Sequence, residues 1–220
     1  MAELVNLPLF NDANIVSYWK MEGNSNDSKG SNNGTDTGIT YGAVKGKFNQ
    51  GAGFNGTSSF ISVGTAVPNF TNGFSFVAHC MPLGAHGGGY GGLWHDQRDA
   101  TRSRLLINDN GSVLAQFNIN GVDGSFASSA GVVISNFYNS VIYTYNGSQE
   151  KIYVNSILVA SQNTTGNMGT SAGARIIGRG SSATYYFNGN VDDVAIFSRA
   201  LTQAEVILIH NPGGGFFGFL

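Results

Sequence analysis

Residues 187–205 read FNGNVDDVAIFSRALTQAE, and within these nineteen positions the hydrophobic period changes. From Phe187 to Phe197 the apolar residues return at short, strand-like intervals. From Leu201 they follow a helical spacing that ends at His210, ahead of Asn211-Pro212-Gly213. Glu205 lies three residues after Thr202, the spacing at which a threonine hydroxyl and a glutamate carboxylate cap a helix reciprocally. A long strand leading into one short, capped helix is therefore expected here.

Outward from this stretch the chain reads as strands and turns. It has 32 Gly, 4 Pro and 12% aromatics in 220 residues, with Val, Ile, Phe and Tyr in short runs between Gly, Asn, Ser and Thr. Ile15 to Lys20 alternates as a strand and enters a polar loop, Gly23 to Gly34. Asn55-Gly56 separates Gly51–Phe54 from Ser59–Val63, which predicts a tight hairpin. Phe74 to Cys80 alternates, with Phe74, Phe76, Ala78 and Cys80 on the expected core face. Further strands are expected near Leu93–His95, Arg104–Ile107, Val113–Phe117, Ser140–Tyr145, Lys151–Val154, Ile157–Ala160 and Arg175–Gly178. This spacing suits an all-β, two-sheet antiparallel sandwich. The length fits one such domain over 15–211, with an N-terminal arm at 1–14 and a Gly/Phe-rich tail at 212–220.

Charge limits the partners. Asp, Glu, Lys and Arg make up 11% of the chain and the net charge is −2, against about 25% charged residues in ordinary globular proteins. No basic stripe is present for nucleic acid. No run approaches the 18 apolar residues of a membrane span. The N-terminal residues lack the pattern of a signal peptide, so synthesis without one is expected. The single cysteine, Cys80, reads as a buried thiol. The Asn-x-Ser/Thr triplets follow from a composition rich in those residues.

Three motif matches fail on context. Gly169-Thr170-Ser171-Ala172-Gly173 lacks the strand before and helix after of a nucleophile elbow. Gly87 to Gly92 fits a dinucleotide fingerprint without the following helix. Cys80, His86 and His95 have no zinc-ligand spacing. Glycoside hydrolysis needs two facing carboxylates. Strict alternation sends the neighbours Asp192 and Asp193 to opposite sides of their strand, and the four glutamates are not paired. The chain is therefore expected to be non-enzymatic.

The order of these segments resembles the laminin-G-like domains of the concanavalin A-like lectin/glucanase superfamily over roughly Ile15 to Asn211. The most specific parts are the 187–205 segment, the opening Val16 to Ser28, and the central Tyr143 to Gly147 with Ile152 to Asn155. Phe137 stands where the family usually has Trp, and Ser156 where it usually has Gly. The resemblance implies a jelly roll whose first strand, near Tyr18, pairs beside its last, near Val194. It implies glycan binding, adhesion or, in some branches, glycan hydrolysis, and does not choose among them.

Candidate sites follow. Tyr90, Trp94, His95, Tyr185 and Tyr186 lie in or near glycine-rich and polar loops, where ring faces could stack on a sugar; a core role for Trp94 is the alternative. Asn24, Asp27 and, through the implied strand pairing, Asp192 offer hard oxygen ligands for a structural Ca²⁺, as some laminin-G-like relatives carry. The alternative is that Asp27 caps its loop and Asp192 anchors its strand. Phe216, Phe217, Phe219 and Leu220 form an apolar tail suited to assembly. The leading expectation is a structural or adhesion subunit of a homo-oligomer or larger assembly at a virion surface (a phage decoration or fibre component) or other cell or particle surface. A free-standing lectin is the alternative, and a glycanase the third reading.

Overall fold

A computed structural model describes residues 7–65, 70–71, 73–96, 103–169, 173–180 and 184–212. In chain order its strands are β1 (Ile15–Trp19), β2 (Thr35–Thr37), β3 (Thr40–Gly42), β4 (Gly51–Asn55), β5 (Phe60–Ser62), β6 (Phe74–Pro82), β7 (Tyr90–Asp96), β8 (Ser103–Asn108), β9 (Val113–Ile119), β10 (Val122–Ala127), β11 (Asn139–Tyr145), β12 (Gln149–Val154), β13 (Ile157–Asn163), β14 (Arg175–Ile177) and β15 (Asn188–Phe197), followed by helix α1 (Gln203–His210).

They form two antiparallel sheets. Sheet A runs β13-β12-β11-β6-β15-β4-β3, with β1 also paired to β15; sheet B runs β10-β9-β8-β7-β14-β5-β2. The first and last strands pair as the resemblance implied, Tyr18 opposite Ala195 and Trp19 opposite Val194. The expected β8–β9 and β11–β12 hairpins form.

The hairpin expected at Asn55-Gly56 does not. β4 pairs with β15 and β3 in sheet A, whereas β5 pairs with β14 and β2 in sheet B. The Asn55 Oδ1 accepts hydrogen bonds from the backbone N–H groups of Thr57, Ser58 and Ser59 at 3.0, 2.9 and 3.1 Å, and Gly56 N–H donates to the Phe187 carbonyl at 3.0 Å. An asparagine that captures three following N–H groups turns the chain out of its sheet, so this Asn-Gly forms a corner between layers.

The main core lies between the sheets. Phe74, Phe76, Ala78 and Cys80 all face it, as alternation predicted, against Leu105, Ile107, Ala115 and Phe117. Phe117 stacks on Tyr143 with ring centroids 4.1 Å apart. A second apolar cluster covers the other face of sheet A. There Val77, Ile142, Tyr153, Ala195 and Phe197 bury against Leu9 and Phe10 of the N-terminal turn and against Leu201, Val206 and Ile209 around α1.

Polar contacts fasten the turn at 8–12 and helix α1 to this face. Thr202 and Glu205 form the predicted capping box. The Arg199 guanidinium bridges Asp12 and Glu205, donating to them at 2.6 and 2.9 Å. The outer face of sheet A is therefore occupied by the turn at Leu9 and Phe10 and by α1. The outer face of sheet B carries no comparable apolar cover among the described residues.

Candidate functional site on the outer face of sheet B

The antiparallel register sets the site, because residues paired across neighbouring strands project to the same side. One such row crosses all seven strands of sheet B: Ser125, Gln116, Arg104, His95, Ile176, Ser62 and Thr35. Leu105, Ile107 and Ile61 point the opposite way into the core, so the row faces outward. Arg104 is held in its centre, its Nε donating to Gln116 Oε1 at 2.7 Å and its Nη1 to the Gly180 carbonyl at 3.0 Å.

Residues 178–180, just after β14, and residues 184–187 lie over this face at Gly92. A Cβ at Gly92 would lie 2.2 Å from the backbone of Arg179 and Gly180, so glycine here permits the close approach. Gly92 N–H donates to the Tyr185 carbonyl at 2.9 Å. The crossing delivers three side chains. Tyr185 meets Tyr90 edge-to-face at 5.3 Å, and the Arg104 guanidinium lies 5.1 Å from the Tyr185 ring. Arg179 sits 4.1 Å over the Phe60 ring and 6.0 Å from Tyr186.

The result is a strip of rings and cations around a neutral imidazole. His95 is 8% exposed, and its Nδ1 has no hydrogen-bond partner. Burial first, then the Arg104 and Arg179 charges, hold its pKa down at about 4. Arg179 is 7% exposed. Its Nε is buried without a hydrogen-bond partner.

Tyr90, His95, Tyr185 and Tyr186 are thus brought to one face of sheet B. Trp94 is not. The register shifts between Gly92 and Trp94, which turns the indole inward, where it is 3% exposed and packs 5.6 Å from Phe76. Arg104, Arg179, Gln116 and Phe60 were missed. Arg104 was legible as the charged residue of an otherwise apolar strand, whereas Arg179 reaches the site only through the crossing segment. Phe216, Phe217, Phe219 and Leu220 lie outside the described residues.

The expected calcium ligands do not converge. Asp27 Oδ1 accepts the backbone N–H groups of Tyr18, Lys29 and Gly30 at 2.9, 3.0 and 2.9 Å, and Oδ2 accepts that of Asn32 at 3.1 Å. Asn24 makes local contacts with Asn26 and Glu22. Asp192 Oδ2 accepts from the N–H groups of Lys47 and Phe48, each at 2.9 Å. A carboxylate ringed by N–H dipoles suits an anchor rather than a calcium ligand, and among the described residues no three His, Cys, Asp or Glu are grouped to hold a metal.

Asp192 and Asp193 also correct the alternation argument. Val191 and Val194 both enter the main core, which leaves an extra residue between them. Asp193 has φ 47°, and the register to β6 shifts between Asp192 and Ala195. This bulge turns both carboxylates to the outer face of sheet A, beneath the chain termini. The Tyr18 hydroxyl donates to Asp193 Oδ1. The pair is sealed, at 0% and 1% exposed.

His79, the strand partner of Asp192, has no hydrogen bond to either ring nitrogen. Burial keeps that ring neutral. The neighbouring Lys47 donates from Nζ to the His210 carbonyl at 3.1 Å, and burial pushes its pKa down to about 8 against the opposing pull of both aspartates. Burial, then the Asp193 charge, raises the Asp192 pKa well above the carboxylate range.

The comparisons with known proteins address the fold. No curated protein matches the chain. A family profile described as the concanavalin A-like lectin/glucanases superfamily matches residues 55–207. Among solved structures, domain 4 of a GH43 extracellular arabinanase from Geobacillus stearothermophilus, in complex with arabinotriose, has a TM-score of 0.66 at 18% identity, covering 90% of this chain and 98% of that one. The binding domain of Paraclostridial Mosquitocidal Protein 1 has a TM-score of 0.69 at 18% identity, covering 90% and 52%. The botulinum neurotoxin serotype G binding domain gives 0.66 at 15%, covering 90% and 50%. The chain thus spans about half the length of these toxin domains.

The buried carboxylate yields a signed prediction. A folded-state pKa above the unfolded value stabilises fully below the unfolded carboxylate pKa, and that stability is lost as pH rises through the folded value. Asp192→Asn keeps an oxygen for the Lys47 and Phe48 N–H groups without the ionisation. Its urea-unfolding free energy is expected to gain on the parent by at least about 1 kcal/mol between pH 5 and pH 8; a difference independent of pH would contradict this.

Proposed function

The chain belongs to the concanavalin A-like lectin/glucanase superfamily, and from that premise we propose that it is a non-catalytic carbohydrate-recognition protein that reads glycans with the outer face of sheet B. The observation that carries the proposal is the strip formed by Tyr90, Tyr185 and Tyr186 beside Arg104, Arg179 and His95. Sugar recognition combines apolar ring faces with fixed hydrogen-bond donors, and this strip supplies both. The arabinanase domain solved with arabinotriose and the toxin binding domains support the reading at the level of fold.

A non-catalytic role follows from where the carboxylates lie. Glycoside hydrolysis places two carboxyl groups about 5 to 9 Å apart across the scissile bond. The seven-residue row on sheet B contains no Asp or Glu, and Asp192 and Asp193 are sealed under the opposite sheet.

A structural or adhesion role at the surface of a virion or other particle, as part of an oligomer, extends the proposal. Exposed apolar side chains favour it. Gln203 Nε2 of α1 donates to the Ser156 carbonyl at 2.8 Å, which places Ile207, one helical turn on, beside exposed Ile157 and Leu158. The apolar residues Phe216, Phe217, Phe219 and Leu220 follow shortly after that helix.

On a glycan array the protein is expected to retain at least one oligosaccharide, and Tyr185→Ala to weaken that binding about tenfold, or 1.4 kcal/mol. No reducing ends should be released from the bound glycan. An unchanged affinity in Tyr185→Ala, or turnover, would contradict the proposal. Native mass spectrometry tests assembly separately: the full chain is expected to be oligomeric and a chain ending at Pro212 to dissociate, and equal masses would refute a role for the tail.

A further inference from the structure

We propose that the glycans recognised on sheet B carry an anionic group, a carboxylate or a sulfate ester, received by the guanidinium group of Arg179. The proposal rests on the glycan-binding reading and specifies the chemical class of its ligand.

Its first support is an unbalanced charge. Arg179 is almost completely buried and its Nε has no hydrogen-bond partner. No carboxylate pairs with it among the described residues. The Phe60 ring at 4.1 Å and Tyr186 at 6.0 Å hold the guanidinium by its faces and leave the in-plane donors, which take up carboxylate or sulfate in bidentate fashion. A buried guanidinium normally finds an anion, because its desolvation is otherwise uncompensated.

The second support is convergence. Arg104 is fixed by Gln116 Oε1 and by the Gly180 carbonyl, the residue next to Arg179. His95 is the strand partner of Arg104 and feels the charge of both arginines. Its Nδ1 is also buried without a partner. Arg179 and the His95 imidazole, both with unused hydrogen-bonding capacity, therefore lie on the face that carries Arg104 and the Tyr90–Tyr185 ring pair.

Matched probes test the inference: a fluorescent heparin-derived hexasaccharide with its fully desulfated counterpart, and a hexagalacturonate with its carboxyl-reduced counterpart. The charged member of at least one pair is expected to bind ten times or more tightly at low salt, with the preference shrinking as salt rises. Which pair shows it distinguishes sulfate from carboxylate. Arg179→Met should abolish the preference, and Arg179→Lys, which keeps the charge without the planar fork, should reduce it; thermal unfolding confirms that each variant is folded. Equal affinity within both pairs overturns the inference and leaves glycan binding standing, as does a preference that survives in Arg179→Met. If neither the probes nor a broad glycan array binds, both readings fall.

Discussion

The bulge at Asp192–Asp193 organises this molecule. β15 is the only strand of sheet A, among the described residues, that pairs with three others, β6, β4 and β1, so a residue inserted there redirects everything around it. With both carboxylates on the outer face, Asp192 captures the backbone of Lys47 and Phe48, and Asp193 captures the Tyr18 hydroxyl. Two carboxylates in one dry site cannot both ionise cheaply. Lys47 and a raised Asp192 pKa meet that cost together. Lys47, Phe48 and Tyr18 close over the cluster, which is buried.

This closure divides the two faces of the sandwich. Sheet A spends its outer surface on a second core made with the N-terminal turn and α1. Sheet B keeps its outer surface for a strip of tyrosines and cations, partly laid down by the segment that crosses at Gly92. Asp192 and Asp193 and the strip on sheet B thus lie on opposite sides of the main core. That separation supports the proposed binding role over hydrolysis.

Much of the fold was legible because local rules and tertiary demands agree there. Thr202 and Glu205 have the spacing of a capping box and form one. Phe74 to Cys80 alternates and packs as it alternates. The misreadings share a cause, since each involves one residue more or fewer than a regular ladder allows. The bulge at Asp193 reverses the direction of one carboxylate, and the shift between Gly92 and Trp94 sends the indole into the core. At Asn55, side-chain capture of three N–H groups overrides the hairpin preference of Asn-Gly. Bulges and Asx corners leave little trace in hydrophobic period. Arg179 was invisible for another reason: it joins Phe60, distant in sequence, only through a loop crossing.

The most direct test of the account is to locate the ligand on the protein by backbone amide NMR during titration with the best-binding glycan. Shifts concentrated at Tyr90, His95, Arg104, Arg179 and Tyr185, with the amides around Asp192 and α1 unmoved, are the predicted result. Shifts confined to the termini-covered face of sheet A, or to loops at the ends of the sandwich, would contradict it.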